Sequence, residues 1–237
     1  RCWSAPRRAR PPIPCRRWGA RSRRGGDRRG DRLGRSRKGG YTRELPPPGV
    51  EAKPAVAPLP PVEGEPVLSL PLDEVPKRPW KANPGEWTAR DGAVWGKPGK
   101  KKDDRASLST PLQMEDGAVQ YEFFLPRGDA RHSQRITVGE KGQWFRVVVS
   151  AGKLEVSVSA PPGGDPKDTE RLIFDRVRLR PEMWHPLRLT FAGDQLTVQV
   201  AGVAPQTRHP VIAQPKNGLS FLGFEGTIGL RRLEVVK

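Results

Sequence analysis

From Trp80 to the end of the chain, apolar and polar residues alternate in short runs, each bounded by Gly, Pro or Asp. Alternation with a period of two belongs to strands whose successive side chains point to opposite faces, and it excludes a helical body. Residues 87–90 and 94–95 flank Asp91-Gly92, a dipeptide that supplies the positive φ angles of a tight hairpin. Further runs occupy 106–110, 119–125, 135–138, 144–149 and 153–158, the last two joined through Ser150-Ala151-Gly152. The remainder lie at 171–179, 184–191, 195–200, 218–224 and 227–236, with Ala192-Gly193-Asp194 as another turn. About ten or more strands with links this short predict an all-β, antiparallel two-sheet sandwich of jelly-roll type over residues 80–237.

What precedes this body has a different composition. Residues 1–43 hold 16 Lys+Arg against Asp27 and Asp31, so 16 − 2 = +14 of the total formal charge of +17. Residues 44–79 contribute 3 − 6 = −3 and residues 80–237 contribute 24 − 18 = +6. The head has few apolar residues and no periodicity, and it cannot bury enough surface to offset its chain entropy, so it is expected to be disordered. Arg/Gly-rich segments of this kind neutralise phosphates, which opens nucleic-acid binding as one function of the head. A mis-called start is the other reading, since the first residue is Arg and no apolar run reads as a signal-peptide core or a membrane span. Residues 44–79 read as a proline-rich linker, in which 67–70 could form an edge strand but for the flanking Pro66 and Pro71. Both cysteines, Cys2 and Cys15, lie in the head, so the sandwich has neither a disulfide framework nor a thiolate metal site.

A search of the sandwich for chemistry gives few candidates. A Glu-x-Asp-x-x-Glu spacing on one strand would set acid and nucleophile either side of a glycosidic bond, and no such spacing occurs. Glu122 stands alone on its run, as a catalytic carboxylate or as a paired surface residue. His132, His185 and His209 lack the close spacing of a zinc site, and no metal or cofactor is expected. His185, beside Trp184 and Pro186, is the candidate acid/base; the alternative is a strand-edge histidine bonded to backbone. Indole faces stack on the apolar face of a pyranose ring. Trp87 and Trp184 read as core, whereas Trp95 and Trp144, next to polar and glycine-rich loops, are the candidates for an exposed platform. Arg208 and His209 form a second candidate, a guanidinium and an imidazole able to bond sugar hydroxyls or a carboxylate, or else simply part of a turn.

The pattern Glu86-Trp87-Thr88-x-x-Asp91-Gly92-Ala93-Val94-x-Gly96, then Ala106-Ser107-Leu108, then Val119-Gln120-Tyr121-Glu122-Phe123, resembles concanavalin A-like (laminin-G-like) domains common in planctomycete-type bacteria. With Phe145-Arg146-Val147, Trp184-His185-x-Leu187, Gly193-Asp194-x-Leu196 and His209-Pro210-x-Ile212, it is similar over 86–237 to the 3-keto-disaccharide hydrolase domain. The resemblance implies an exported, extracytoplasmic protein that handles carbohydrate, by binding it without catalysis, by a structural role, or by hydrolysing a glycosidic bond. Arg105 and Gln143 stand where relatives of this type carry histidine, which removes a candidate acid/base and favours the non-catalytic reading.

Overall fold

A computed structural model describes residues 57–83, 85–99, 105–127, 133–140, 143–158, 169–224 and 226–237. The head at 1–43 and the first part of the proline-rich segment lie outside the described residues. Fifteen strands form: β1 (Pro66–Ser69), β2 (Lys81–Asn83), β3 (Glu86–Arg90), β4 (Ala93–Lys97), β5 (Ser107–Met114), β6 (Gly117–Leu125), β7 (Ser133–Glu140) and β8 (Gln143–Ser150). They continue with β9 (Lys153–Val158), β10 (Glu170–Asp175), β11 (Met183–Ala192), β12 (Gln195–Val200), β13 (Gln206–Arg208), β14 (Lys216–Phe224) and β15 (Ile228–Val236). One 3-10 turn, Pro210–Ala213, is the sole helical element among the described residues.

The strands make two antiparallel sheets. The larger runs β13-β12-β11-β6-β15-β4-β3, with β1 beside β15, and the smaller runs β10-β9-β8-β7-β14-β5-β2. Tight turns fix the hairpins as the sequence predicts: Asp91 and Gly92 have φ of 54° and 64°, and Gly193 has φ of 54°. Asp91-Gly92 thus has both central φ positive, as a type I′ turn needs, and Gly193-Asp194 only the first, as a type II′ turn needs; both turns match the twist of their strands. Trp87 on β3 packs flat over its partner Gly96, where a Cβ would come within 2.7 Å of the indole.

The core lies between the sheets and is filled by alternate residues of the central strands. Val119, Tyr121 and Phe123 of β6 and Leu187, Leu189 and Phe191 of β11 face Ile136, Val147, Leu154 and Phe221 of the smaller sheet, all buried. Aromatic edges lock the two layers, with Tyr121 against Phe221 at 5.0 Å and Phe145 against Phe191 at 6.3 Å. Such offset and edge contacts match the ring quadrupoles.

Three segments differ from the sequence expectation. Residues 67–69, read as linker, form strand β1 opposite Glu234–Val236; Pro66 and Pro71 bracket this strand rather than interrupt it, as a first-residue or edge proline does. Trp80 lies in the core, and its indole Nε1 donates to the Ser69 carbonyl at 3.2 Å, tying this segment to the sandwich. The run 171–179 ends as a strand at Asp175, yet Val177 and Leu179 stay buried and the Leu179 N–H donates to the Ala151 carbonyl. The alternation persists there because the chain crosses from one sheet to the other with alternate residues in the core. Finally, β5 continues through exposed Pro111 to Met114, beyond the point where β2 has ended and left its edge free.

Candidate functional site

Four of the expected site residues sit on or under the larger sheet, but they do not converge. Glu122 projects from the outer face of central strand β6, only 4% exposed. Its two oxygens accept from Arg231 Nε at 2.6 Å and Arg232 Nη1 at 2.8 Å. A bulge in β15 between Arg231 and Glu234, with Arg232 at φ 50°, turns two consecutive arginines toward one carboxylate. Both oxygens are thus engaged in charge-assisted bonds, leaving Glu122 poorly disposed as nucleophile or proton donor. Glu234 is the one further carboxylate on the outer face of β4, β6, β11 and β15 among the described residues, and it is exposed beside Gln120 rather than Glu122.

Trp95 is not an exposed platform. It is 4% exposed in a second apolar cluster with Ala93, Phe124 and Trp184 on the outer side of the larger sheet. Trp95 meets Phe124 at 5.2 Å and Trp184 at 5.3 Å, while the guanidinium of Arg231 lies 4.5 Å from the Trp184 ring and that of Arg90 lies 5.6 Å from Trp95. Gly229 makes this packing possible, since a Cβ there would approach the Trp95 ring to 2.8 Å. A turn-flanking tryptophan looks exposed in sequence, because a cluster outside the main core has no periodic signature. Close by, Arg188 donates to Gln120 at 2.7 Å and to the carbonyl of Pro60, so the chain around Pro60 crosses this face. Trp144 pairs through its backbone with Gly139, and its side chain lies outside the described residues, as does His132.

His185 lies on the inner side of β11, 2% exposed, with its ring 5.6 Å from Phe123. Its Nε2 bonds the Arg180 carbonyl at 2.8 Å, which places the proton on Nε2 and leaves Nδ1 a buried acceptor without a protein partner. Burial lowers its pKa, opposed by the backbone bond, so the ring is neutral and structural. Arg208 and His209 sit at a lateral edge. Arg208 bonds Asp194 at 2.8 Å and Gln195 at 3.0 Å. His209 accepts from the Val211 N–H to cap the 3-10 turn, and its Nε2 lies 3.2 Å from Glu170 on β10, joining the edges of the two sheets. Both are engaged within the fold.

The sequence reading missed two features. Lys216 is buried, donates to the carbonyls of Glu115 and Ile212, and lies 4.9 Å from the Phe191 ring beside a cavity of about 110 Å³. Burial pulls its pKa down against the opposing charges of Asp116 and Glu115, and its bonds make it a structural cation that gathers two loop ends. The second feature is the outer face of the smaller sheet. Register aligns Arg171, Ser157, Arg146, Thr137, Ser220, Ser109 and Lys81 in one row across all seven strands. Each is polar or cationic; Arg171 and Lys81 are exposed, Thr137, Arg146, Ser109 and Ser220 are half-exposed, and Ser157 is buried. The outward positions are legible in each strand alone; only the register shows that they form a line. Among the described residues, no group of three or more His, Cys, Asp or Glu comes together as a metal site, and no helix is long and apolar enough to cross a membrane.

No protein-family model matches the chain, and no curated protein matches it in sequence. Solved structures do match in fold. A carbohydrate-binding module, CBM66, from Bacillus subtilis superposes with a TM-score of 0.53 at 10% identity, over 67% of this chain and 96% of that one. The CBM2 module of the evolved Dit protein of Lactobacillus casei BL23 phage J-1 gives 0.55 at 14% identity, over 73% and 95%. The catalytic domain of an endo-1,3-β-glucanase (laminarinase) from Thermotoga petrophila RKU-1 gives 0.55 at 12% identity, over 73% and 98%. At such identities the shared property is the fold. The sandwich of this chain is therefore a concanavalin A-like jelly roll, the architecture of these carbohydrate-binding modules and glucanase catalytic domains.

Proposed function

We propose that the chain is a non-catalytic carbohydrate-binding module of an exported protein, and that the outer face of the smaller sheet is its binding surface. The observation that carries this reading is the seven-position row from Arg171 to Lys81, whose hydroxyls and cations match the alternating donors and acceptors of a sugar chain. The groups that a hydrolase would need support the absence of catalysis: Glu122 is held by two arginines and His185 is bonded into the core, on opposite sides of one sheet. The carbohydrate-binding modules that share the fold point the same way.

A glycan-binding screen run beside hydrolysis assays on native and 3-keto disaccharides tests the reading. Binding without turnover is expected. Turnover abolished by a change at Glu122 or His185 would overturn it in favour of the alternative, a glycoside hydrolase of the 3-keto-disaccharide type.

A further inference from the structure

Resting on the carbohydrate-binding reading above, we propose that the row across the smaller sheet recognises a glycan bearing anionic groups, carboxylate or sulfate, with Arg146 as the residue that fixes one such group. Strand register places Arg146 between Thr137 on β7 and Ser157 on β9, so a half-exposed guanidinium stands beside the half-exposed Thr137, with Ser157 buried on its other side. Among the described residues, no carboxylate pairs with Arg146, whereas the arginines at 231 and 232 on the larger sheet both pair with Glu122. A planar guanidinium with two parallel N–H donors is suited to bidentate capture of carboxylate or sulfate oxygens, with the half-exposed Thr137 hydroxyl beside it for the sugar ring.

The charge around Arg146 favours an anion further. Arg135 lies one row away on the same face, and burial followed by the charges of Arg146 and Arg105 lowers its pKa. Arg105 and Arg135 are themselves engaged within the chain, so recognition centres on Arg146. The carboxylate of this face, Glu155, is already paired with Lys153 at 2.6 Å and Arg171 at 3.8 Å. Seven strands about 4.8 Å apart make a row roughly 29 Å long, enough for an extended oligosaccharide. None of the seven positions is aromatic, but exposed Phe174 flanks one end of the row, with the Arg171 guanidinium 5.2 Å from its ring, so single-stranded nucleic acid belongs among the probes.

Calorimetric titration of the full chain tests this. The probes are an oligogalacturonate, a sulfated glucan oligosaccharide, an uncharged glucan oligosaccharide of matched length and a single-stranded DNA. The proteins are the wild type, Arg146→Gln, Arg146→Lys, and Arg127→Gln as an exposed cation elsewhere. All four share the basic head, so differences between them report the sheet. At least one acidic probe should bind, with Arg146→Gln weakening it about tenfold, Arg146→Lys falling between, and Arg127→Gln unchanged. A response to both anions indicates recognition of charge, and one confined to the uronate indicates the bidentate carboxylate geometry. Acidic probes bound equally well by Arg146→Gln would overturn the inference. So would uncharged probes bound as tightly as the acidic ones, a result that leaves carbohydrate binding standing. No glycan bound by any protein would overturn the underlying reading as well, and tighter Arg146-dependent binding of single-stranded DNA would replace the glycan as ligand.

Discussion

At the scale of single residues, Glu122 is buried and paired with two arginines. Arg231 is itself largely buried beside it, so removing the carboxylate leaves a guanidinium in a poorly solvated site. Glu122→Ala should therefore lose about 3–5 kcal/mol of stability in urea denaturation. The exposed Arg232 contributes little to that figure because solvent screens it. A variant as stable as the wild type would show that the pair has no structural role. His185 predicts a pH dependence. Its folded pKa lies below the ordinary value of 6.5, chiefly through burial, so the unfolded chain binds the proton first as pH falls. The stability it contributes is complete above about pH 6.5 and is lost below it until the folded ring protonates. Urea midpoints measured between about pH 7 and pH 5 should fall more steeply for the wild type than for His185→Gln. Equal slopes would contradict the buried neutral ring. Residue chemistry named both side chains in advance. Their partners, Arg231 and the Arg180 carbonyl, are distant or unpatterned in sequence and were not legible.

At the scale of elements, hairpins were legible and pairings at a distance were not. Asp91-Gly92 and Gly193-Asp194 announce their turns because local φ requirements are written into the residues themselves, and Ala151-Gly152 does so as small turn residues between two alternating runs, without a positive φ. Strand β1 was hidden, since its partner β15 closes the sandwich at the far end of the chain. The bulge in β15 was hidden too, because its residues read as an ordinary run until a neighbour fixes the register. The boundary drawn from family resemblance, at Glu86, excludes β1, β2 and Trp80, all joined to the sandwich. A chain beginning at residue 86 should thus lose its cooperative thermal transition or unfold far below the full chain, with Trp80 alone worth about 3–5 kcal/mol. A chain beginning at residue 57 should unfold as the full chain does. Indistinguishable melting of the two truncated chains, followed by circular dichroism, would make β1 and β2 dispensable.

At the scale of the whole molecule, the strong positive charge of the sequence is separated from the chemistry of the sandwich. Residues 1–43 carry +14, while the outer face of the smaller sheet holds a few cations. The two outer faces have opposite characters. That of the larger sheet is filled by its own tryptophans, an internally neutralised carboxylate and the chain around Pro60, whereas that of the smaller sheet presents a row of hydroxyls and cations. Alternation by itself determined that this chain folds as a two-sheet jelly roll, because a period of two with glycine turns leaves few other ways to bury one face of each strand. It also determined which residues point outward. Only the tertiary structure decided which outward residues became neighbours, which were buried by a second cluster, and which carboxylate was already paired. Those outcomes depend on register and on contacts between segments far apart in the chain, and no local pattern carries that information.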